Sequence, residues 1–219
     1  MRAFIFMAGV FLSFFSLEAG SFKKISDSPL VYACDNFLSD SECDHFIKIA
    51  NPTLSRSTVI DVNSANNQID QRRTSLGMFI FKGTEDKLTR KIQKRIEKAI
   101  NIPQENAEGI QILYYDIDGE YQPHYDYFDP ETSGGLVHYK RGGQRVATLI
   151  LYLNTVKDGG ETIFPKIGLK IAPTKGKALL FYNVTSDGRP DPMSFHGGAP
   201  VIDGEKWIIT YWLREKPFY

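Results

Sequence analysis

The stretch HGGAPVIDGEKWIITYWLR, residues 196–214, decides how this chain is built. It opens with a histidine and a tight Gly197-Gly198 turn, passes Asp203-Gly204, and ends in an unbroken run of aromatic and β-branched residues. Asp-Gly between two such runs is a hairpin signal. The expectation is a hairpin that carries Lys206 back alongside the strand of His196. Residues two apart on a strand share a face, so Lys206, Ile208, Thr210, Trp212 and Arg214 line one side of it.

Three similar runs precede it: GIQILYYDI (109–117), RVATLILYLN (145–154) and KALLFYN (177–183). Each is bounded by Gly, Pro, Asn or Asp, as strands are. No helical stretch is read between them, which argues against parallel βαβ winding. The helices come first. Ser39 and Glu42 in DNFLSDSECDHFIKIANP (35–52) have capping-box spacing, and Cys43, Phe46, Ile47 and Ala50 follow as one apolar stripe. A second helix after Thr84 carries Leu88, Ile92, Ile96, Ala99 and Ile100 at helical spacing, with Lys and Arg opposite. Helices followed by strands predict an α+β fold, with helices packed on one side of an antiparallel sandwich or barrel. One domain, residues 27–219, is expected. Two polar or glycine-bearing stretches, 55–75 and 129–144, are long enough to be lids over a site.

Composition narrows the partners. Lys plus Arg and Asp plus Glu both number 26, so no charge excess asks for nucleic acid or an anionic surface. The N-terminal segment MRAFIFMAGVFLSFFSLEAG (1–20) has one Arg, a short apolar run and small residues at its end. It is too short to span a bilayer comfortably and reads as a signal peptide or signal anchor. An exported protein with no stable membrane span after cleavage is expected; without the signal the protein is cytoplasmic. Cys34 and Cys43 have no metal-site spacing. They are read as buried thiols, with pairing open to them in an oxidising compartment.

EYQPHYDYFD, residues 120–129, sets His124 and Asp126 two positions apart, where a strand aims both at one point. On its own such a pair is often only a hydrogen-bonded surface pair. The other histidines are His45, on the capped helix, His138, in a glycine-rich loop, and His196. Two histidines and one carboxylate around open positions form the ligand set of non-haem Fe(II) oxygenases. Lys206 adds the second half of the reading. A cation buried beside a metal needs an anion, and a dicarboxylate that chelates iron at one end can pair with Lys206 at the other. 2-Oxoglutarate is such a molecule.

Taken together, RRTSLGMF, YYDIDGEYQPHYDYF, RVATLILYLN, GGETIFP, KGKALLFYN and SFHGGAPVIDGEKWIITYWLR closely resemble the prolyl 4-hydroxylase family of 2-oxoglutarate/Fe(II) dioxygenases, across residues 30–215. The resemblance implies a double-stranded β-helix, or jelly roll. It implies His124, Asp126 and His196 as Fe(II) ligands, and Lys206 as the partner of the 2-oxoglutarate C5 carboxylate. Tyr115 and Thr162 match residues of the same pocket. Tyr121, Arg145 and Trp212 match positions around the substrate. Arg214 departs from the pattern, because algal-type relatives carry histidine there, and so bears on substrate preference. O2 as cosubstrate, ascorbate as the reductant that rescues oxidised iron, and a proline-containing peptide as substrate are also implied. Halogenating relatives replace the carboxylate ligand with a small residue, so Asp126 implies hydroxylation. Two alternatives stay open: hydroxylation of a free amino acid or other small molecule, and a non-catalytic metal-binding jelly roll.

Overall fold

The computed structural model describes residues 21–60 and 66–219, so the leader expected at 1–20 lies outside the described residues. In chain order, β1 (Lys23–Asp27) and β2 (Leu30–Cys34) lead into α1 (Asp40–Ala50). Then come β3 (Ser55–Arg56), β4 (Val59–Ile60), β5 (Asn67–Gln68), β6 (Leu76–Ile80) and α2 (Lys87–Ile100). β7 (Ile110–Tyr115), β8 (Tyr121–His124), a short α3 (Ser133–Tyr139), β9 (Arg145–Tyr152) and β10 (Asp158–Gly159) follow. The remainder is β11 (Thr162–Phe164), β12 (Leu169–Ile171), β13 (Ala178–Tyr182), β14 (His196–Gly198), β15 (Val201–Asp203) and β16 (Lys206–Arg214).

A large sheet orders its strands β1-β2-β13-β9-β16-β7-β6-β3, and a smaller one orders them β12-β11-β14-β8. Their pairings are antiparallel. The two sheets make the jelly roll, with β4–β5 and β10–β15 as two-stranded ribbons.

Period-two alternation explains why the large sheet is apolar on both faces. Ala147, Leu149 and Leu151 of β9, with Trp207, Ile209, Tyr211 and Leu213 of β16, join a core built with Phe46, Ile92 and Ile96 of the helices. Their neighbours Ile150, Tyr152 and Ile208 turn the other way, into a second core with Leu113, Phe164 and Phe181. All nine residues of β16 are therefore buried. The helices sit where their caps predict. Ser39 accepts from the Glu42 amide at 3.3 Å and Glu42 Oε2 accepts from the Ser39 amide at 3.0 Å, a complete capping box. Glu42 also accepts from Arg95 at 2.5 and 2.9 Å, tying α1 to α2. Cys34 and Cys43 are free thiols in the interior, and burial pushes Cys43 up to about 11.

Three expectations change. A helix does interrupt the strand region: α3 lies inside the stretch 129–144, started by Thr132 Oγ1 accepting from the Gly135 amide at 3.0 Å. Its glycines hide it, because they weaken helix propensity. The Asp203-Gly204 turn does not fold β16 back beside β14. β15 pairs with β10, and β16 crosses into the large sheet between β7 and β9. Strand order also reaches further toward the N-terminus than residue 27, since β1 begins at Lys23. The stretch 55–75 contains the β4–β5 hairpin.

Candidate active site

His124 closes β8 and His196 opens β14, and the two are direct partners in the smaller sheet. Glycine makes that closeness possible. A Cβ on Gly197 would stand 2.8 Å from Tyr121 O and 2.9 Å from Pro123 N, inside backbone that cannot yield. The imidazoles come to 4.5 Å centre to centre. Asp126, just past the end of β8, sets its carboxylate between them, with Oδ1 3.5 Å from His124 Nε2 and Oδ2 3.5 Å from His196 Nε2. One ligand atom from each of the three lies within 4.8 Å of the others.

The surroundings prepare these groups as ligands. His124 Nδ1 lies 3.0 Å from Gln122 O, and His196 Nδ1 lies 2.9 Å from Ser194 O. Carbonyls can only accept, so each Nδ1 carries the proton and each Nε2 lone pair faces the site. Burial pushes His196 down to about 4, which keeps it neutral at ordinary pH. Burial opposes the Asp126 charge, but at the low pH where this carboxyl titrates the neighbouring imidazoles in their cationic form, His196 first, outweigh burial and hold it well below the usual carboxylate range. Its Oδ2 accepts from Thr148 Oγ1 at 2.7 Å and from Trp212 Nε1 at 3.0 Å. Asn183 Nδ2 in turn donates to Thr148 Oγ1 at 2.9 Å.

Lys206 reaches the same cavity from the opposite sheet, in register with Tyr115 and with its ammonium 5.2 Å from that ring's centre. It is 2 % exposed and makes no ion pair among the described residues. Burial lowers its pKa to about 8, with Glu161 opposing the shift. Gly198 leaves room next to it, since a Cβ there would stand 3.4 Å from Lys206 Nζ. Thr162 accepts from the Tyr152 hydroxyl at 2.7 Å on the cavity wall. A buried cation with open space beside it fits a ligand carboxylate, and two imidazoles that aim Nε2 at one carboxylate fit Fe(II).

Of the residues singled out in the sequence, His124, Asp126, His196, Lys206, Tyr115, Thr162, Tyr121 and Trp212 line this one cavity. Arg145 and Arg214 do not. Arg145 donates from Nε and Nη2 to the Glu108 carboxylate at 2.7 and 2.8 Å, and its guanidinium lies 4.1 Å from the Trp212 ring centre. Arg214 is 1 % exposed, wedged 4.7 Å from the Phe128 ring centre and 5.3 Å from that of Phe218, with Glu108 at 3.6 Å. A shared carboxylate and aromatic faces hold both guanidiniums. His45 pairs with Asp86 at 2.6 Å, away from the cavity.

Arg73, Glu108 and Thr148 join the site without a motif of their own in the sequence. Arg73 lines the cavity, lies 4.9 Å from the Tyr121 ring centre and donates to Gln111 Oε1 at 2.9 Å. It was within reach, as part of the RRTSLGMF segment. Glu108 and Thr148 had no local signal, since their partners are distant along the chain.

A model of the 2OG-Fe(II) oxygenase superfamily matches residues 110–214. Prolyl 4-hydroxylase 2 of Arabidopsis thaliana is 39% identical over 217 residues, covering 90% of this chain and 71% of that protein. Prolyl 4-hydroxylase 5 of the same plant is 40% identical over 215 residues, covering 90% and 72%. Among solved structures, the viral collagen prolyl hydroxylase vCPH of Paramecium Bursaria Chlorella virus-1, in its 2OG complex, superposes with a TM-score of 0.66 and 31% identity, over 84% of this chain and 95% of that one. Its jelly roll, its two-histidine, one-carboxylate centre and this likeness along most of its length place the chain in the prolyl 4-hydroxylase family of 2-oxoglutarate- and Fe(II)-dependent oxygenases.

Proposed function

We propose that the protein hydroxylates peptidyl proline at C4, consuming 2-oxoglutarate and O2 and releasing succinate and CO2. The observation that carries this is the convergence on a single cavity of three ligand groups and one buried lysine that makes no ion pair among the described residues. Fe(II) with 2-oxoglutarate supplies the oxidising chemistry, one atom of O2 going to the proline carbon and the other to succinate.

The chain's own residues bind and orient. His124, Asp126 and His196 would hold the metal, the histidines through Nε2 and the aspartate through a carboxylate oxygen. Lys206 takes the far carboxylate of 2-oxoglutarate, with Tyr115 and Thr162 at its sides. This fixes the cosubstrate's direction before the substrate arrives. Phe164 and Phe181 pack 5.9 and 4.4 Å from the His196 ring and keep water from the inner wall. Tyr121, stacked 3.7 Å from the His124 ring, and Trp212 border the substrate's side of the metal. No protein group has to remove a proton from carbon, so none of the neighbouring acids is assigned as a base.

A peptide fits better than a free amino acid. Tyr121 and Arg73 extend the cavity toward the sheet edge, and a polyproline II strand arrives already extended, losing little entropy on binding. Ascorbate serves as the rescuing reductant. Export by the N-terminal segment is part of the same proposal, and is tested by locating a carboxy-terminally tagged protein after cell fractionation. The activity is tested by Fe(II)- and peptide-dependent succinate release, together with an added oxygen on peptide proline.

A further inference from the structure

Two phenylalanines stand in the open beside this site. Phe79 is 41 % and Phe81 61 % exposed, and their rings are stacked at 5.5 Å with 15° between planes. Isolated exposed apolar residues are ordinary, whereas two stacked rings on one strand end make a flat aromatic shelf.

Register shows which way the shelf faces. In β6, Gly77 lies opposite Leu113, a residue of the cavity wall, and Phe79 lies opposite Gln111. Phe79 therefore shares the cavity-facing side of the sheet, and so does Phe81, two residues on. Gly109 lies beside Phe81, since a Cβ there would meet Phe81 Cδ1 at 3.5 Å and Ile80 O at 3.0 Å. Gln111 is also the partner of Thr210 in β16, and Thr210 lines the cavity. One row thus runs Thr210, Gln111, Phe79, from the cavity to the shelf. Arg73 bridges the gap above it, stacked on Tyr121 and donating to Gln111.

The spacing matches one ligand geometry. Two strand separations of about 4.8 Å put Phe79 roughly 9.6 Å from Thr210 along the row. A polyproline II strand advances about 3.1 Å per residue with three residues per turn, so side chains recur on one face every ~9.3 Å. Aromatic shelves are what proline rings dock on in polyproline recognition. We infer that the Phe79–Phe81 pair is a second proline subsite, which holds a substrate proline three residues from the one that is hydroxylated. This rests on the peptidyl-proline reading above and adds a spacing preference to it.

The test compares two peptides, one with prolines three residues apart and one with alanine in place of the outer proline. The wild-type enzyme should show a lower KM for the first by roughly three- to tenfold, the size of one aromatic contact, at similar kcat. Phe81→Ala and Phe79→Leu should remove that difference by raising KM for the first peptide alone. Phe79→Tyr, which keeps the aromatic face, should retain it. Peptide-independent turnover of 2-oxoglutarate should be equal in all variants, which establishes that they are folded. Preference kept in Phe81→Ala and Phe79→Leu, or KM raised equally for both peptides, overturns the subsite. A variant that changes sedimentation and leaves the KM ratio intact also overturns it, in favour of contact between copies of the chain. A wild-type enzyme that hydroxylates neither peptide refutes the peptidyl reading itself, and the subsite falls with it. Hydroxylation of both peptides with equal KM refutes the subsite alone.

Discussion

Trp212 donates its indole N–H to Asp126 Oδ2 at 3.0 Å, so a residue at the far end of β16 orients a ligand that lies just beyond β8. Thr148 takes the same oxygen at 2.7 Å. Both bonds turn the carboxylate so that Oδ1 remains available to a metal. Trp212 is itself held by the Arg145 guanidinium above its ring, and Arg145 by Glu108. The fold positions the metal ligand through this chain of contacts.

Trp212→Phe keeps the ring and deletes the donor. Loss of such an outer partner commonly costs about 10–100-fold in metal affinity. Titration of the apoprotein with Fe(II) under anaerobic conditions should show that loss, with the fold unchanged by circular dichroism. Wild-type metal affinity in the variant would remove Trp212 from the role.

Glu108→Gln should destabilise the protein more than a surface change does. It leaves Arg145 and Arg214, 8 % and 1 % exposed, sharing no carboxylate. Breaking a buried ion pair from one side costs on the order of 3–5 kcal/mol. Chemical denaturation should show a loss of unfolding free energy of that size, and a loss below ~1 kcal/mol, the worth of an exposed pair, would contradict it.

Lys206 gives the site a pH dependence with a definite sign. Burial lowers its pKa from 10.5 to about 8. Below about 8 both folded and unfolded chains carry the proton, and the burial cost is fully present. Between about 8 and 10.5 the folded chain gives up its proton first, so stability contributed by this group rises with pH. Binding of a carboxylate favours the ammonium and runs the other way. Affinity for 2-oxoglutarate should be flat below pH 8 and fall by up to about tenfold per unit above it. Calorimetry in buffers of different ionisation heat should detect proton uptake on binding at pH 9. Lys206→Ala should weaken binding by orders of magnitude while iron is retained. Flat affinity to pH 10 would mean that another cation anchors the cosubstrate.

Much of this was legible along the chain because it is local or periodic. His124 and Asp126 are two residues apart, and alternation in β16 places Lys206 and Trp212 on the cavity face. The capping box at Ser39 marks the start of the first helix without any tertiary contact. What was not legible depends on distant pairing. The Asp203-Gly204 turn suggested a local hairpin, yet β16 finds more partners in the large sheet, where both of its faces are buried. Glu108, just ahead of β7, and Arg145, which opens β9, meet only across the end of β16, and α3 owes its existence to a threonine cap rather than to helix-forming residues.

The central claim is that this cavity oxidises proline within a peptide. The most direct measurement is mass spectrometry of products after incubation with Fe(II), 2-oxoglutarate and O2, offering a proline-rich peptide and free L-proline side by side. The expected result is one added oxygen on peptide proline, with succinate formed in equal amount, and none of it in His124→Ala, Asp126→Ala or His196→Ala. Oxygen found only on the free amino acid, or undiminished product from a triad variant, would contradict the account.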